Sequence, residues 1–283
     1  MKVAYFNYHH DLTGQTQGAA VQIEHLAREL RALGLEVAVC SWGAGAAGAS
    51  RAPAPLKQIP GLRRYGHFPR LLLRNLNLYR QEVAFLRRFR PAVVLAVSSY
   101  GNLSALWSAR RLGLPLVLFA EAPLAYEYSL FQPQYYPYAT LGRSLEGYVV
   151  RRAARVLCIS EILKGYLLTY GGPASKFVVC PNGVDPETFR PQPPEVSLRD
   201  RLGLTGKVVL GFVGSFQFFV ELKDCGRLLQ ELYRRHPEVA WLWIGGGATA
   251  IQLQQRLADL GLDRAAFFCG RLPHGEVPRY LSL

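Results

Sequence analysis

Two glycine-rich phrases stand where a phosphate-binding turn could be built. Gly211-Phe212-Val213-Gly214-Ser215-Phe216 and Ile244-Gly245-Gly246-Gly247 each close an apolar, strand-like run and precede a helical pattern. Such strand-to-helix turns lie at the carboxyl edge of a parallel sheet, where open α/β folds bind ligands. Glycine there lets backbone N–H groups and a helix N-terminus approach an anion. A third turn, NYHHDLTGQTQGAA, follows the first apolar run and places Gly14 and Gly18 ahead of a helix. It is neither G-x-G-x-x-G nor a P-loop. The second strand ends in Ser41-Trp42, with no acidic residue for an adenosine ribose, so a dinucleotide-dependent dehydrogenase is disfavoured. A plain glycine-containing turn is the other reading of these loops.

Glu121 directly follows the run Pro115 to Ala120. A carboxylate there would project into a cleft at the sheet edge, although a surface glutamate also fits the position. His9, His10 and His274 have no metal-type spacing, so no metal site is expected. In PNGVDPETFRP, Asn182-Gly183 predicts a turn with a left-handed position, Asp185 a cap for a short helix from Pro186, and Phe189 an anchor.

The elements that would hold these residues alternate. Strand-like runs at Lys2 to Tyr8, Leu35 to Ser41, Ala92 to Ser98, Pro115 to Ala120, Arg155 to Ser160 and Lys176 to Cys180 are separated by helical patterns. The first helix carries Ile23, Leu26, Ala27, Leu30 and Leu33 on one face, with Gly34 placed to end it. Strands apolar on both faces and alternating with helices predict parallel sheets covered on both sides. The Pro-rich segment 186–206 breaks the pattern and reads as a linker. Alternation resumes with strands at Val208 to Val213, Val239 to Ile244 and Ala265 to Cys269, helices near Leu222 to Arg235 and Thr249 to Leu260, and a last helix starting near Gly275.

Composition narrows the function classes. The 283 residues are 50% hydrophobic and 19% charged, which excludes a disordered or collagen-like chain. The longest apolar candidate, Ala92 to Ala109, is broken by Ser98-Ser99-Tyr100-Gly101-Asn102, so no membrane span is predicted, and no signal peptide is read at the N-terminus. Five cysteines without C-x-x-C spacing read as buried, reduced thiols of a cytosolic protein.

The net charge is +13, which calls for an anionic partner. Between Gly61 and Arg90 stand Arg63, Arg64, Arg70, Arg74, Arg80, Arg87, Arg88 and Arg90 against Glu82, interleaved with leucines and aromatics. Such a helical stretch suits anionic lipid head groups; a solvated arginine face over an ordinary core stripe is the alternative. No nucleic-acid-binding motif is present, and a nucleic-acid partner is not expected.

Taken in order, these phrases resemble the retaining GT-B-fold glycosyltransferases of family 4. The most specific stretch is RRAARVLCISEILKGYLLTYGGPASKFVVCPNGVDPETFRP, Arg151 to Pro191, supported by the Gly18 loop, PLVLFAEAPLAYE, VLGFVGSF and FFCGRLPHGEVPRYL. The resemblance implies an α/β fold of two Rossmann-like parallel-sheet domains facing across a cleft. These would be an acceptor-side domain over residues 1–185, a linker over 186–206 and a nucleotide-sugar-binding domain over 207–283. That second domain is expected to be incomplete, because the family's E-x7-E motif lies beyond Leu283.

By the same resemblance, Gly18 would approach the donor diphosphate, and Gly214, Ser215 and Phe216 would form the second phosphate loop, with Lys223 the nearest cation. Gly270 and Arg271 would lie near the nucleobase. Glu121 would occupy the place where many members have a His or Asn beside the transferred sugar, the catalytic position. From the basic stretch itself, Arg63, Arg64, Arg70 and Arg74 are expected to form a membrane or acceptor surface. The implied activity is sugar transfer, without a bound metal or other cofactor, from a nucleotide sugar to a lipid- or polysaccharide-linked acceptor. The expected location is cytoplasmic, peripheral at the inner face of the membrane. Two other readings stand beside it: a membrane-associated binding or scaffold protein without donor chemistry, and a sugar-nucleotide epimerase on the same fold.

Overall fold

The computed structural model describes residues 1–8, 18–42, 67–131, 139–216, 222–247 and 249–283. The chain divides into two units, Met1–Thr13 with Gln22–Asn182, and Gly14–Val21 with Gly183–Leu283.

The first unit is a six-stranded sheet in the order β2-β1-β3-β4-β5-β6, every pair parallel. The strands are β1 (Lys2–Asn7), β2 (Glu36–Ser41), β3 (Val93–Val97), β4 (Leu116–Ala120), β5 (Arg155–Cys158) and β6 (Phe177–Val179). Its helices are α1 (Gly18–Ala32, of which Gly18–Val21 is counted with the second unit), α2 (His67–Phe89), α3 (Ser104–Arg111), α4 (Leu124–Phe131), α5 (Ala139–Arg152) and α6 (Glu161–Leu168).

Alternation along β1 shows why the strands read as apolar throughout. Ala4, Phe6 and Tyr8 enter one core cluster with Leu78, Leu86 and Leu106, whereas Val3 and Tyr5 enter another with Ile23 and Ala27 of α1. Both faces are covered, so every position of the strand after Lys2 leaves water. Gly34 ends α1 as expected: its φ is +81°, and the Leu35 N–H reaches back to the Leu30 carbonyl at 3.1 Å, a left-handed helix stop.

The second unit has the parallel sheet β7-β8-β9, from β7 (Val208–Val213), β8 (Val239–Ile244) and β9 (Ala266–Gly270). Around it stand α7 (Val196–Arg201), α8 (Leu222–Arg235), α9 (Ala250–Asp259) and α10 (Val277–Leu281). Trp243 packs with Leu229, Leu253 and Leu257, and its neighbours Leu242 and Ile244 pack with Leu204 on the other side.

Four local expectations are corrected. Segment 186–206 is more than a linker: it contains α7, Leu198 is fully buried, and Leu204 is buried in a core cluster with Ala240, Leu242 and Ile244. Gly183 does not adopt a positive φ; Asn182 instead accepts a hydrogen bond from Gln22 Nε2 at 2.5 Å. Asp185 does cap, accepting from the Glu187 N–H at 3.0 Å and the Thr188 hydroxyl at 3.2 Å, but over a turn rather than a helix. Of the described cysteines all are free, yet only Cys158 is fully buried, and Cys180 is exposed just past the end of β6.

Candidate functional site

In the second unit the three strand ends come together at one edge. The Gly214 N–H donates to the Ile244 carbonyl at 3.0 Å, the Gly245 N–H to the Gly270 carbonyl at 2.7 Å and the Phe216 N–H to the Gly246 carbonyl at 3.3 Å. The turn after β7 is therefore bound to the turn after β8, and that turn to the end of β9.

The approach is closer than any side chain permits. A Cβ on Gly245, whose φ is +135°, would stand 1.8 Å from the Gly214 carbonyl oxygen, and one on Gly247 would stand 2.2 Å from that of Phe216. A Cβ on Gly246 would meet the Arg271 side chain at 3.1 Å. The exposed Arg271 thus lies over the middle glycine of the β8 turn. Gly270, with φ +68°, uses the left-handed region that glycine enters at no steric cost.

These facts distribute the expected donor residues. Ser215 is exposed at the tip of the β7 turn, whereas the Phe216 ring is fully buried, 5.8 Å from Trp243 and 5.3 Å from Phe212. The side chain of Lys223 lies outside the described residues. Gly245 and Gly247 join the set by contact; the signal was their position at a strand end next in order to Gly214.

In the first unit the strand order reverses at β1, which has β2 on one side and β3 on the other. The crevice outside the carboxyl ends at such a switch point is the usual ligand position in an open α/β sheet. Tyr8 leaves β1 there, and Gly18 begins α1 after the loop over residues 9–17, which lies outside the described residues together with His9, His10 and Gly14.

Glu121 follows β4, partly buried, with Oε1 shielded from solvent. Burial raises the Tyr5 phenol above its ordinary range, and the charge of Glu121 adds to the rise. A residue not anticipated is Glu146 of α5. It accepts the Tyr170 hydroxyl at 2.6 Å and the N–H groups of Leu124 and Ala125, while its burial raises its own carboxyl. Its carboxyl thus faces the start of α4, in the segment that follows Glu121. A lone glutamate in a helix gives no sequence signal for this contact.

The basic stretch forms α2. Asn75, Leu78, Glu82 and Leu86 are buried, while Leu72, Leu73 and Leu76 are exposed among the arginines. Glu82 accepts hydroxyl hydrogen bonds from Tyr8 (2.8 Å), Ser104 (2.6 Å) and Ser108 (2.8 Å). Asn75 accepts the N–H groups of Leu103 (2.6 Å) and Ser104 (3.0 Å), satisfying the start of α3. Arg70 is exposed; Arg74 donates to the Tyr8 carbonyl at 3.4 Å. Arg63 and Arg64 lie outside the described residues. Among the described residues no group of three or more His, Cys, Asp or Glu is placed to hold a metal, and no helix is long and apolar enough to cross a membrane.

A sequence profile of Glycosyltransferase Family 4 matches residues 16–188. The chain is 28% identical over 215 residues to a 2-deoxystreptamine glucosyltransferase of Streptomyces kanamyceticus, covering 71% of this chain and 54% of that protein. It is 29% identical over 129 residues to a GDP-mannose-dependent alpha-(1-6)-phosphatidylinositol monomannoside mannosyltransferase of Mycolicibacterium smegmatis, covering 45% of this chain and 34% of that one. The chain therefore spans about half or less of the length of these relatives. Among solved structures, Anabaena HepE in complex with UDP-glucose is similar in fold, with TM-score 0.64 at 18% identity, over 99% of this chain and 71% of that one.

Proposed function

Because the chain belongs to Glycosyltransferase Family 4, we propose that it moves a sugar from a nucleotide-sugar donor to a lipid- or polysaccharide-linked acceptor, with retention at the anomeric carbon. The observation that carries this reading is the junction of the β7, β8 and β9 ends, where glycine turns meet without side chains between them and Arg271 lies over Gly246. Breaking the anomeric bond leaves negative charge on a diphosphate. Fixed dipoles and a cation at a sheet edge stabilise that charge more in the transition state than in the substrate. Arg271 is the cation assigned to the donor, with Gly270 and Ser215 beside it. Gly214 and Phe216 act through the backbone that shapes the turn, and Lys223 is a further candidate cation.

On the acceptor side, Gly18 opens α1, the helix that follows β1, and Glu121 directly follows the central strand β4. The proposed role of Glu121 is to act beside the transferred sugar. The phosphatidylinositol mannoside relative supports a lipid-linked acceptor. Arg70, Arg74 and the exposed leucines of α2 support a peripheral position on an anionic, cytoplasmic membrane face. Transfer is read as independent of a bound metal, so EDTA is expected to leave the rate unchanged.

The test is thermal unfolding with UDP-, GDP- and ADP-sugars. A donor at 100 times its Kd adds about 2.7 kcal/mol to the folded state, which raises Tm by roughly 5 °C or more for a chain of this size. Absence of any shift with every donor overturns the reading. Arg271→Ala is expected to weaken the effective donor about tenfold while leaving the Tm of the free protein unchanged, since the exposed side chain fills no core position. A shift without sugar transfer to any acceptor would point to a binding protein, and a changed sugar without an acceptor to an epimerase.

A further inference from the structure

A groove on the helical face of the first unit shares only the exposed leucines of α2 with the surface assigned above. Its floor is made by the partly buried rings of Tyr79, Trp107 and Tyr148, from α2, α3 and α5, and its walls by the exposed Arg110, Arg111 and Arg152. The arginines sit in the last turns of α3 and α5, just ahead of β4 and β5. The groove therefore lies toward the amino ends of the strands, whereas Glu121 lies at the carboxyl end of β4.

Each arginine alone could be a cation placed against a helix C-terminus. That accounts for neither their convergence nor the aromatic floor. Among the described residues no carboxylate lies within ion-pair distance of Arg110, Arg111 or Arg152, and no acidic residue lines the groove. Three like charges around one concavity repel each other unless an anion joins them. The Arg152 guanidinium is already seated over the Tyr148 ring, 4.1 Å from its centroid, so less order is lost on binding.

The groove continues into apolar surface. Leu76 forms its rim, and Leu72 and Leu73 are exposed one turn earlier on α2. A free phosphate has no use for leucines, whereas a phospholipid presents a phosphodiester for the guanidiniums, an interface for Trp107 and Tyr79, and acyl chains beneath. We propose that the groove between α2, α3 and α5 is a headgroup site for anionic phospholipid. The inference rests on the membrane part of the functional reading and locates the contact at residues other than Arg63, Arg64, Arg70 and Arg74.

The experiment is flotation of the 283-residue chain with phosphatidylcholine vesicles, with and without phosphatidylglycerol, paired with quenching of Trp107 by brominated lipid. Binding to the anionic vesicles and quenching that disappears in Trp107→Phe are expected. The triple variant R110Q/R111Q/R152Q, checked for an unchanged Tm, is expected to bind about 100-fold more weakly, since each arginine at such a surface contributes several-fold.

Unchanged binding by the triple variant overturns the proposal; if R70Q/R74Q then weakens binding, the broader membrane reading stands without it. Failure of the wild-type chain to bind either vesicle overturns both. Release by millimolar inorganic phosphate at constant ionic strength would assign the groove to free phosphate and overturn the lipid assignment. If the triple variant does not fold, the quenching decides: persistence of the full signal in Trp107→Phe overturns the proposal.

Discussion

Gly245→Ala is expected to abolish nucleotide-sugar binding and to destabilise the second unit by at least about 3 kcal/mol. The two causes are independent. At φ +135° the backbone occupies a region that a side chain enters only under strain, and the new Cβ would stand 1.8 Å from the Gly214 carbonyl oxygen. That oxygen belongs to backbone and cannot swing away, so the β7 turn must separate from the β8 turn and the Gly214–Ile244 hydrogen bond must stretch or break. Gly261→Ala provides the comparison. Its φ is +71°, but its Cβ would meet nothing within 4 Å, so only the left-handed penalty of about 1 kcal/mol applies, and donor binding is expected to persist. Urea unfolding and donor titration on both variants check the pair. Equal effects at the two positions would remove the argument that contact between the turns builds the site.

Glu82→Ala is expected to be the most damaging substitution in α2, costing about 2 kcal/mol or more, because it leaves the buried Tyr8 hydroxyl without its acceptor and takes one acceptor each from Ser104 and Ser108, which keep Asn102 Oδ1 (2.9 Å) and the Ala105 carbonyl (3.2 Å). Against a total stability of about 5–15 kcal/mol, the loss is large, and it falls where β1 runs out toward the Gly18 turn. Glu82→Gln keeps an acceptor and is expected to cost less.

The same residue sets a pH dependence. Burial raises the folded-state carboxyl of Glu82 above its ordinary 4.5, against the lowering effect of the three hydroxyls. Between 4.5 and that raised value the folded chain holds a proton that the unfolded chain has released. Stability therefore falls as pH rises through this window and is recovered below it. Glu82→Gln cannot titrate, so the difference in urea midpoint between wild type and variant is expected to shift in the variant's favour from pH 4 upward. A difference that stays constant with pH would show that Glu82 does not titrate differently in the two states.

Much of the architecture was legible in the residues. The apolar runs of the two sheets, the helix stop at Gly34 and the two glycine turns at Gly214 and Gly245 are local signals, carried by periodicity and by residues whose conformational range is written in their chemistry. The order of the phrases matched the family that the profile then confirmed. The helix α7 and the burial of Leu204 within segment 186–206 escaped the reading as a linker because the prolines and charges there mask a leucine whose burial depends on a sheet formed later in the chain.

The sequence by itself determined where the strands lie and which of them glycine closes, because those choices depend on neighbours within a few positions. Only the tertiary structure decided what those turns touch. That Glu82 meets Tyr8 across 74 positions, that the Phe216 ring turns into the core while Ser215 stays in water, and that Arg110, Arg111 and Arg152 share one groove with Trp107 are consequences of parallel crossovers. These set side by side residues that have no local means of finding each other.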